Sequence, residues 1–452
     1  EDITIVSGPG NNGGDGLAVG RLLNEKGYKV NLFVVRTNDT GSDDFMTNLK
    51  RYKLFGEIVE IREEKDIPRI SSSIIIDALF GSGLSRPLSG IFARVVEYLN
   101  TCNSQKISID IASGLFADLP VSKDSILFKP YYTVTFQQPK FAFFLPENDE
   151  FVGSWEVLDI GLDKKYIEQL PCDNFLLEKK DVDSILIPRK RHSHKGTYGK
   201  ALISTGSYGK MGAAVLCGQA AMRAGLGLLY LHIPQKGYEI IQSTVPEGMV
   251  VDDIGKNHIE SIPSLENYSA IGFGPGIGTH PDTISVVSKL LTNFQKPMVI
   301  DADGINIIAQ NRELLEIIPQ KSILTPHPGE FERLVGPWKN SFEKHEKQKN
   351  LSSKYEIIIV LKGAYTSITF PNGQLYFNPT GNPGMATGGS GDVLTGILVG
   401  LLAQGYTPEN TAFLGVYLHG QAGDLAAQKV GMQSLIASDI IRQIPKAFDF
   451  LK

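Results

Sequence analysis

A loop of glycines and oxygen-bearing side chains follows the first apolar stretch of the chain. Its glycines match the GxGxxG spacing of dinucleotide-binding loops, in which a tight turn leads into a helix N-terminus that can receive phosphate. That spacing alone is a weak signal. Asn11, Asn12 and Asp15 add side-chain oxygens that suit an ion or a polar ligand. We therefore expect a polar ligand site within residues 8–16.

Two further polar positions come directly after apolar strands. Residues 74–76 lead into Asp77, and residues 107–109 lead into Asp110, with Ser113 shortly after it. Taken one at a time, each aspartate is explained equally well as the N-cap residue of a following helix. Because the carboxyl ends of parallel strands meet at one edge of a sheet, three polar strand ends together favour a shared site.

A second glycine-rich turn, residues 388–391, leads through Asp392 into the apolar run 393–398. Consecutive N–H groups in such a turn, at a helix N-terminus, can bind a phosphoryl group that is being transferred. A carboxylate at the end of the turn can accept a proton from a substrate hydroxyl. The sequence contains no GxxxxGK[ST] motif, so the predicted chemistry is not of the P-loop type. Asp392 is the predicted general base.

Strand-like and helix-like stretches alternate through both halves of the chain. Runs rich in β-branched residues predict strands at 3–6, 29–35, 73–76, 106–109, 132–136, 200–204, 270–273, 297–300, 321–324 and 356–361. Helical spacing predicts helices over 17–26 and after Asp392. This alternation is typical of parallel sheets covered on both faces. The pattern weakens over 163–183, so we expect two α/β domains, residues 1–172 and 173–452.

Composition narrows the possible partners of this 452-residue chain. Its formal net charge of -5 argues against nucleic-acid binding, and no apolar run reaches the roughly 20 residues that span a bilayer. Three scattered cysteines favour a reducing cytoplasm. The chain begins at Glu1 without an initiator methionine, so we expect a native segment before it. We predict a cytoplasmic protein with no nucleic-acid or membrane partner.

The first half resembles the NAD(P)H-hydrate epimerase domain along nearly its whole length. The resemblance rests on Gly10–Gly16, Asp77–Pro87, Ser108–Gly114 and Val134–Lys140. It implies a Rossmann-like three-layer α/β/α fold, a K⁺ ion on Asn12, Asp77 and Ser113, and proton transfer by Asp110 during epimerisation at C6. The implied contacts of the hydrated nucleotide are Asn11, Asn12, Gly13, Gly14, Asp15, Gly81, Ser82, Gly83, Leu84, Ser85, Arg86, Pro87 and Asp110.

The second half resembles the ADP- or ATP-dependent NAD(P)H-hydrate dehydratases of the ribokinase-like superfamily. The matching motifs are His194–Gly199, Gly274–Gly278, Asp301–Asp303, Thr325–Glu330 and Gly381–Gly384, followed by the Asp392 turn. The resemblance implies a ribokinase-like α/β/α fold with Asp392 as the catalytic base. The implied substrate contacts are Ala213, Gly276, His327 and Asp392, and the implied adenine nucleotide contacts are Lys362, Gly363, Ala364, Tyr365, Thr366 and Gly391. Asp301 and Asp303 are candidates to hold Mg²⁺.

Together the two resemblances predict a bifunctional enzyme that repairs hydrated NADH and NADPH (NADHX and NADPHX). An isomerase site would interconvert the R and S hydrates, and a lyase site would return the S form to NAD(P)H with ADP or ATP. ADP is the favoured donor, and we expect a homo-oligomer.

Three alternatives stay open at this point. Arg36, at the end of the second strand, could receive a 2′-phosphate, as in an NADP-binding Rossmann domain. The turn before Asp392 also fits a kinase of a small hydroxylated substrate. The first half could be a binding module whose site has decayed, although all four polar residues Asn12, Asp77, Asp110 and Ser113 are present.

Overall fold

Two mainly parallel β-sheets organise the chain in the computed structural model, which describes residues Asp2–Leu451. The chain divides into two units between Pro171 and Cys172, and the short segment Asn340–Phe342 is grouped with the first. Each unit is an α/β structure, which confirms the predicted fold class. No helix within the described range is long and apolar enough to cross a membrane.

The sheet of the first unit has seven strands, all parallel to their neighbours. They are β1 (Asp2–Ser7), β2 (Lys29–Val35), β3 (Ile58–Ile61), β4 (Ile74–Ala78), β5 (Gln105–Ile109), β6 (Tyr132–Phe136) and β7 (Ser154–Leu158). Their order is β3-β2-β1-β4-β5-β6-β7. The order reverses between β1 and β4, and such a switch point is where open α/β sheets bind ligands.

Helices cover both faces of this sheet. They are α1 (Asn11–Glu25), α2 (Asp43–Tyr52), α3 (Gly90–Thr101), α4 (Asp149–Val152) and α5 (Lys164–Gln169). Leu17 of α1 and Phe45 of α2 pack on one face, and Val95 and Val96 of α3 pack on the other. Strands buried on both faces explain the continuous isoleucine and valine runs that predicted them.

The sheet of the second unit has ten strands. They are β8 (Asn174–Leu176), β9 (Lys200–Ser204), β10 (Leu228–Ile233), β11 (Gly248–Asp252), β12 (Ala270–Phe273), β13 (Met298–Ile300), β14 (Ile323–Leu324), β15 (Ile358–Leu361), β16 (Ser367–Thr369) and β17 (Leu375–Phe377). Their order is β11-β10-β9-β12-β13-β14-β15-β16-β17-β8. The strands from β11 to β15 are parallel, whereas β16 is antiparallel to both its neighbours. Here the switch point lies between β9 and β12.

This second sheet is also covered on both faces. Its helices are α6 (Lys179–Asp183), α7 (Met211–Arg223), α8 (Tyr238–Thr244), α9 (Pro281–Asn293), α10 (Ala302–Gln310), α11 (Pro328–Val335), α12 (Ser341–Tyr355), α13 (Ser390–Ala403), α14 (Pro408–Val430) and α15 (Ala437–Phe450). Helices α7, α8, α13 and α14 share a core on one face, and α9 to α12 share a core on the other. Helix α13 is apolar apart from Ser390, Asp392 and Thr395 in its first two turns, because it is buried between the sheet and its helical neighbours.

Four predicted element boundaries are wrong by two residues or more. Strands β14 and β15 begin at Ile323 and Ile358, two residues later than predicted, because Lys321 and Glu356 before them have left-handed backbones (φ 62° and 53°). Helix α1 begins at Asn11 rather than Leu17, because the Gly14 N–H donates to the Gly10 carbonyl (3.1 Å) and so closes the first helical turn. Strand β4 continues through Asp77, which pairs in register with Val6 and Ser108. The polar loop predicted at residues 8–16 is therefore a short turn followed by a helix N-terminus.

Close packing at Gly13 generates a stability prediction. A β-carbon at this position would lie 1.7 Å from the Gly8 carbonyl oxygen, so Gly13→Ala must displace the start of α1. We expect it to lower the free energy of unfolding of the first unit by about 1–3 kcal/mol. Calorimetric melting measures the change. Gly10→Ala is the matched control, since a β-carbon there meets no atom within 4 Å; equal melting temperatures for the two variants would contradict this packing argument.

Candidate active sites at the carboxyl ends of the two sheets

The first candidate site is a cavity of about 920 Å³ at the carboxyl ends of β1, β4 and β5. Eleven of the residues implied by the sequence line it: Asn11, Asn12, Asp15, Gly81, Ser82, Gly83, Leu84, Ser85, Arg86, Pro87 and Asp110. Gly13 and Gly14 lie buried in the first turn of α1. Asp77 and Ser113 are fully buried. The cavity has the size and the mixed polar lining of a nucleotide pocket.

Asp110 is held in an unusual conformation directly after β5. Its backbone has φ 68°, a left-handed geometry that is rare outside glycine and is found where a site requires it. Its carboxylate accepts a hydrogen bond from the Ser82 N–H (3.0 Å) and forms an ion pair with Lys140 (2.7 Å). Burial raises the pKa of Asp110, but the contacts with Lys140 and Ser82 outweigh burial and leave this pKa below its ordinary value. Asp110 is therefore ionised at neutral pH.

Lys140 is a site residue that the sequence reasoning missed. It lies at the end of the matching segment Val134–Lys140. The side chain is only 12% exposed and also donates to the Phe136 carbonyl (2.6 Å), so it is fixed at the end of β6 beside Asp110. The signal available in the sequence was a lysine shortly after a strand that neighbours the Asp110 strand.

A fully buried carboxylate lies at Asp77. It accepts hydrogen bonds from the Ser113 N–H (2.8 Å), the Ser113 hydroxyl (2.6 Å), the Ser108 hydroxyl (3.2 Å) and the Leu79 N–H (3.1 Å). Burial raises the pKa of Asp77 to about 6 in spite of these bonds. The structure thus brings together Asp77 and Ser113, two of the three residues implied for K⁺.

Asn12 is the third residue implied for K⁺, and its side-chain amide is buried. Within Asp2–Leu451, neither its Oδ1 nor its Nδ2 has a hydrogen-bond partner, although the residue is only 7% exposed. Leaving such a group unpaired costs about 1–3 kcal/mol. An unpaired buried amide facing a cavity is a feature that a bound ion or ligand would satisfy.

Arg36 does not present a free cation at the end of β2. Its side chain is buried and forms ion pairs with Glu60 of β3 and with Asp39. Both partners are carboxylates that would have to be displaced before a 2′-phosphate could bind. This arrangement counts against the NADP-type Rossmann alternative.

The second candidate site lies at the N-terminus of α13. Gly389 has φ 89°, a left-handed turn that directs the chain into the helix, and no side chain caps the helix there. Asp392 lies in the first turn. Burial and the nearby Asp301 carboxylate raise the pKa of Asp392 to about 7, while Lys362 opposes them. A carboxylate poised near neutrality suits a general base.

Two buried polar groups, Asp301 and Thr395, and the partly buried Lys362 join different elements beside Asp392. Asp301, directly after β13, forms an ion pair with Lys362, directly after β15 (2.8 Å), and accepts a hydrogen bond from the Thr395 hydroxyl of α13 (2.7 Å). A β-carbon at Gly391 would lie 3.3 Å from Lys362 Nζ, so the ammonium group lies against the glycine turn. The arrangement places one cation and the helix N–H groups where a phosphoryl group would bind.

Thr395 is a second residue that the sequence reasoning missed. It is a fully buried polar side chain at the start of the apolar run of α13, and it follows Asp392 at the helical spacing that puts two residues on one face. That combination was readable from the sequence.

His327 begins α11 and has a structural contact of its own. Its Nδ1 accepts from the Gly329 N–H (3.0 Å), while Glu330 accepts from the His327 N–H (2.8 Å) in a reciprocal cap. Glu330 Oε2 also lies 3.9 Å from Lys362 Nζ. His327 is therefore connected to the charged network through Glu330, and about half of its side chain stays exposed.

Ala213 and Gly276 lie next to each other at the switch point of the second sheet. A β-carbon at Gly276 would lie 3.2 Å from the Ala213 Cβ. Nearby, Asp303 accepts from the Gly278 N–H (2.8 Å) and pairs with Lys210 (3.2 Å). The two small residues thus pack closely together at the carboxyl ends of β9 and β12.

The remaining predicted nucleotide contacts form one loop between β15 and β16. Gly363, Ala364, Tyr365 and Thr366 directly follow Lys362, and Gly363 and Ala364 are exposed. The Thr366 hydroxyl donates to the Gly363 carbonyl (3.2 Å), which closes the loop. Gly391 lies in the first turn of α13 beside Lys362.

Family models match both halves of the chain. Residues 201–446 match a model described as NAD(P)H-hydrate dehydratase, and residues 1–142 match one described as the YjeF-related protein N-terminus. The first match covers the α13 site, and the second covers the cavity with Asp77, Asp110 and Lys140.

Curated relatives match nearly the whole chain. The bifunctional NAD(P)H-hydrate repair enzyme Nnr of Moorella thermoacetica is 36% identical over 98% of this chain and 86% of its own length. The enzyme of the same name from Thermofilum pendens is 35% identical over 99% and 87%. A crystal structure of the ADP/ATP-dependent NAD(P)H-hydrate dehydratase of Bacillus subtilis, co-crystallised with ATP/Mg²⁺, covers 62% of this chain and 99% of its own, with TM-score 0.54 and 32% identity. The chain belongs to the family of bifunctional NAD(P)H-hydrate repair enzymes, as both resemblances predicted.

Proposed function

We propose that this chain repairs hydrated NADH and NADPH in two steps, with epimerisation in residues 1–172 and nucleotide-dependent dehydration in residues 173–452. The observation that carries the proposal is the partly buried Asp392 beside Lys362 at the N-terminus of α13, which supplies a base and an anion site together. The likeness to a solved dehydratase at 32% identity favours dehydration over the kinase alternative.

In the epimerase step, Asp110 moves the proton while the configuration at C6 of the hydrated ring inverts. The ion pair with Lys140 keeps the carboxylate ionised and therefore able to accept a proton. Lys140 also offsets the charge that changes on Asp110 during the transfer. The loop Gly81–Pro87 and the first turn of α1 hold the nucleotide across the cavity.

The buried polar residues beneath this cavity fit a K⁺ ion. The Asn12 amide oxygen has no hydrogen-bond partner in the described chain, and Asp77 is a buried carboxylate whose charge is disfavoured by burial. Oxygen ligands of this kind hold hard cations. Asn12, Asp77 and Ser113 would hold the ion, which supplies a fixed positive charge for the bound nucleotide.

In the dehydratase step, Asp392 accepts the proton of the C6 hydroxyl of the S hydrate. The hydroxyl oxygen then attacks the terminal phosphorus of ADP or ATP, and the nucleotide leaves shortened by one phosphate. Phosphate is a far better leaving group than hydroxide, so loss of phosphate from C6 with a proton from C5 restores the dihydropyridine. The N–H groups at the start of α13 and Lys362 stabilise the charge on the transferred group.

The remaining proposed contacts are with the hydrated nucleotide, the adenine nucleotide and Mg²⁺. Ala213, Gly276 and His327 contact the hydrated nucleotide, and Gly363–Thr366 with Gly391 surround the adenine nucleotide. Asp303 would hold Mg²⁺, since its side chain is 19% exposed, whereas Asp301 is 2% exposed and already engaged by Lys362 and Thr395. Mg²⁺ neutralises phosphate charge. ADP as the favoured donor, a homo-oligomeric state and a cytoplasmic location stay predictions from the sequence.

Asp392→Asn tests the base assignment. Removing the proton acceptor should reduce dehydration by roughly 10² to 10⁴-fold, while epimerisation of the R hydrate in the same protein stays at the wild-type rate. The epimerase rate is the internal control for folding. Dehydration that persists in the variant would contradict the assignment.

The pH dependence of dehydration follows from the raised pKa of Asp392. Only ionised Asp392 accepts a proton, so kcat/KM should fall roughly tenfold for each pH unit below about 7. Asp301→Asn removes the repulsion that raises this pKa, so the acid limb should move to lower pH. Thr395→Val keeps the Asp301 charge and is the matched control. An acid limb at the same pH in wild type and Asp301→Asn would overturn the electrostatic account.

If Asp77 holds K⁺, the Asp77→Asn variant should lose the stimulation of epimerisation by K⁺. Wild-type epimerisation should be faster in KCl than in choline chloride at equal ionic strength, and Asp77→Asn should abolish the difference. Ser72→Ala, which removes a buried hydroxyl bonded to Thr4, is a control for disturbance of the same sheet. K⁺ stimulation that survives in Asp77→Asn would exclude this ion site.

A further inference from the structure

A cluster of imidazole and carboxylate groups lies in the second unit, on residues that neither catalytic site uses. His258 and Glu260 belong to the connection between β11 and β12, and His280 and Asp282 lie at the start of α9. One nitrogen from each histidine and one Asp282 oxygen all lie within 4.8 Å of one another. No motif spacing in the sequence links these positions, because the fold brings two separate segments together.

The distances within the cluster match a metal site. His258 Nε2 lies 3.4 Å from Asp282 Oδ2 and 3.3 Å from Glu260 Oε1, and His280 Nδ1 lies 3.2 Å from Asp282 Oδ2. Zinc binds imidazole nitrogen and carboxylate oxygen at about 2.0–2.2 Å, so the edges of its tetrahedron measure roughly 3.3 Å. The separations of His258 Nε2 and His280 Nδ1 from Asp282 Oδ2 are therefore those of atoms that share one Zn²⁺ ion.

Ordinary hydrogen bonding explains the geometry less well. Charge-assisted N–H···O bonds are usually about 2.7–2.9 Å long, shorter than all three separations. Both histidines converge on the same oxygen of Asp282, and their rings lie only 3.9 Å apart. The Asp282 N–H donates to His280 Nδ1 (3.4 Å) and so caps α9; a metal bond to Nδ1 would replace this long hydrogen bond.

Buried contacts hold the two segments in place without the metal. Asp253, which is 2% exposed, pairs with His232 (3.0 Å) and accepts from the Glu260 N–H (2.8 Å). The buried Thr283 hydroxyl of α9 donates to the carbonyl of Ile259, between His258 and Glu260 (3.0 Å). The ligands are thus carried on a fixed scaffold, which lowers the cost of ordering them around an ion.

We propose that His258, His280 and Asp282 bind a Zn²⁺ ion that ties the β11–β12 connection to α9. Two imidazoles and one carboxylate favour zinc over Mg²⁺ and Ca²⁺, which prefer oxygen ligands alone. The ion would link the two segments, with the fourth position of its tetrahedron open to water. The site is independent of the proposed repair activity.

Zinc titration of the full chain tests this proposal. The protein is stripped with a chelator, dialysed free of it, and titrated with Zn²⁺ in the absence of nucleotide, alongside His258→Ala, Asp282→Asn and the matched control His192→Ala, an exposed histidine elsewhere in the unit. We expect wild type and His192→Ala to bind one equivalent that both cluster variants bind roughly tenfold or more weakly. Zinc bound elsewhere on the chain should be the same in all four proteins, so the difference in zinc binding between them reports on the cluster alone.

Cobalt supplies a second readout that does not depend on stoichiometry. Co²⁺ in a tetrahedral site of nitrogen and oxygen ligands gives intense visible absorption, which wild type should show and both cluster variants should lack. Unchanged dehydration rates in the variants confirm that they are folded. Identical zinc binding in all four proteins, or a Co²⁺ spectrum that is the same in wild type and Asp282→Asn, would overturn the proposal.

Discussion

The ion pair between Asp301 and Lys362 is the contact on which the dehydratase site depends. It joins the end of β13 to the end of β15, and the hydrogen bond from Thr395 extends it to α13. A buried carboxylate without a partner would be strongly destabilising, so these elements have to keep their positions. The same pair sets the charge around Asp392: Asp301 repels its ionised form, and Lys362 favours it. A pKa near neutrality is the balance of these two effects with burial.

In the epimerase site the pKa of the aspartate beside the lysine is lowered, whereas the pKa of Asp392 is raised. Asp110 is also a buried carboxylate at a strand end, but its lysine contacts it directly (2.7 Å) and holds its pKa low. Asp392 has its lysine engaged by another carboxylate, so its pKa stays high. One aspartate is thus ionised throughout the neutral range, whereas the other changes charge within it. The difference suits a site that exchanges a proton reversibly and a site that takes one from a hydroxyl at the moment of phosphoryl transfer.

Much of this arrangement could be predicted from the sequence, and the exceptions have physical causes. Buried parallel strands such as β2, β9 and β12 are mainly apolar, and their bounds agree with the prediction. The start of α1 was placed too late because Asn and Gly have low helix propensity, which packing against the sheet overrides here. Strands β3, β16 and β17 have only three or four residues each. That is too few to show the alternation of apolar and polar side chains that predicts a strand.

The contacts between site residues were harder to predict from the sequence than the identities of those residues. Lys140 meets Asp110 only because β5 and β6 are neighbours and Asp110 adopts a left-handed backbone. The contact of Lys362 with Asp301 likewise depends on sheet order, since β14 separates their strands. Thr395 was within reach of sequence reasoning, whereas the histidine and carboxylate cluster around His258 depends on a fold contact that no local pattern encodes.

One chain is expected to carry both repair activities. To test this, wild-type protein is supplied with a mixture of R and S NADHX, Mg²⁺, K⁺ and either ADP or ATP, and the return of the near-ultraviolet absorbance of the dihydronicotinamide ring is followed. We expect recovery of both epimers, with the faster nucleotide identifying the donor. Recovery of the S epimer alone would contradict the epimerase half of the claim, and the absence of nucleotide-dependent recovery would contradict the dehydratase half.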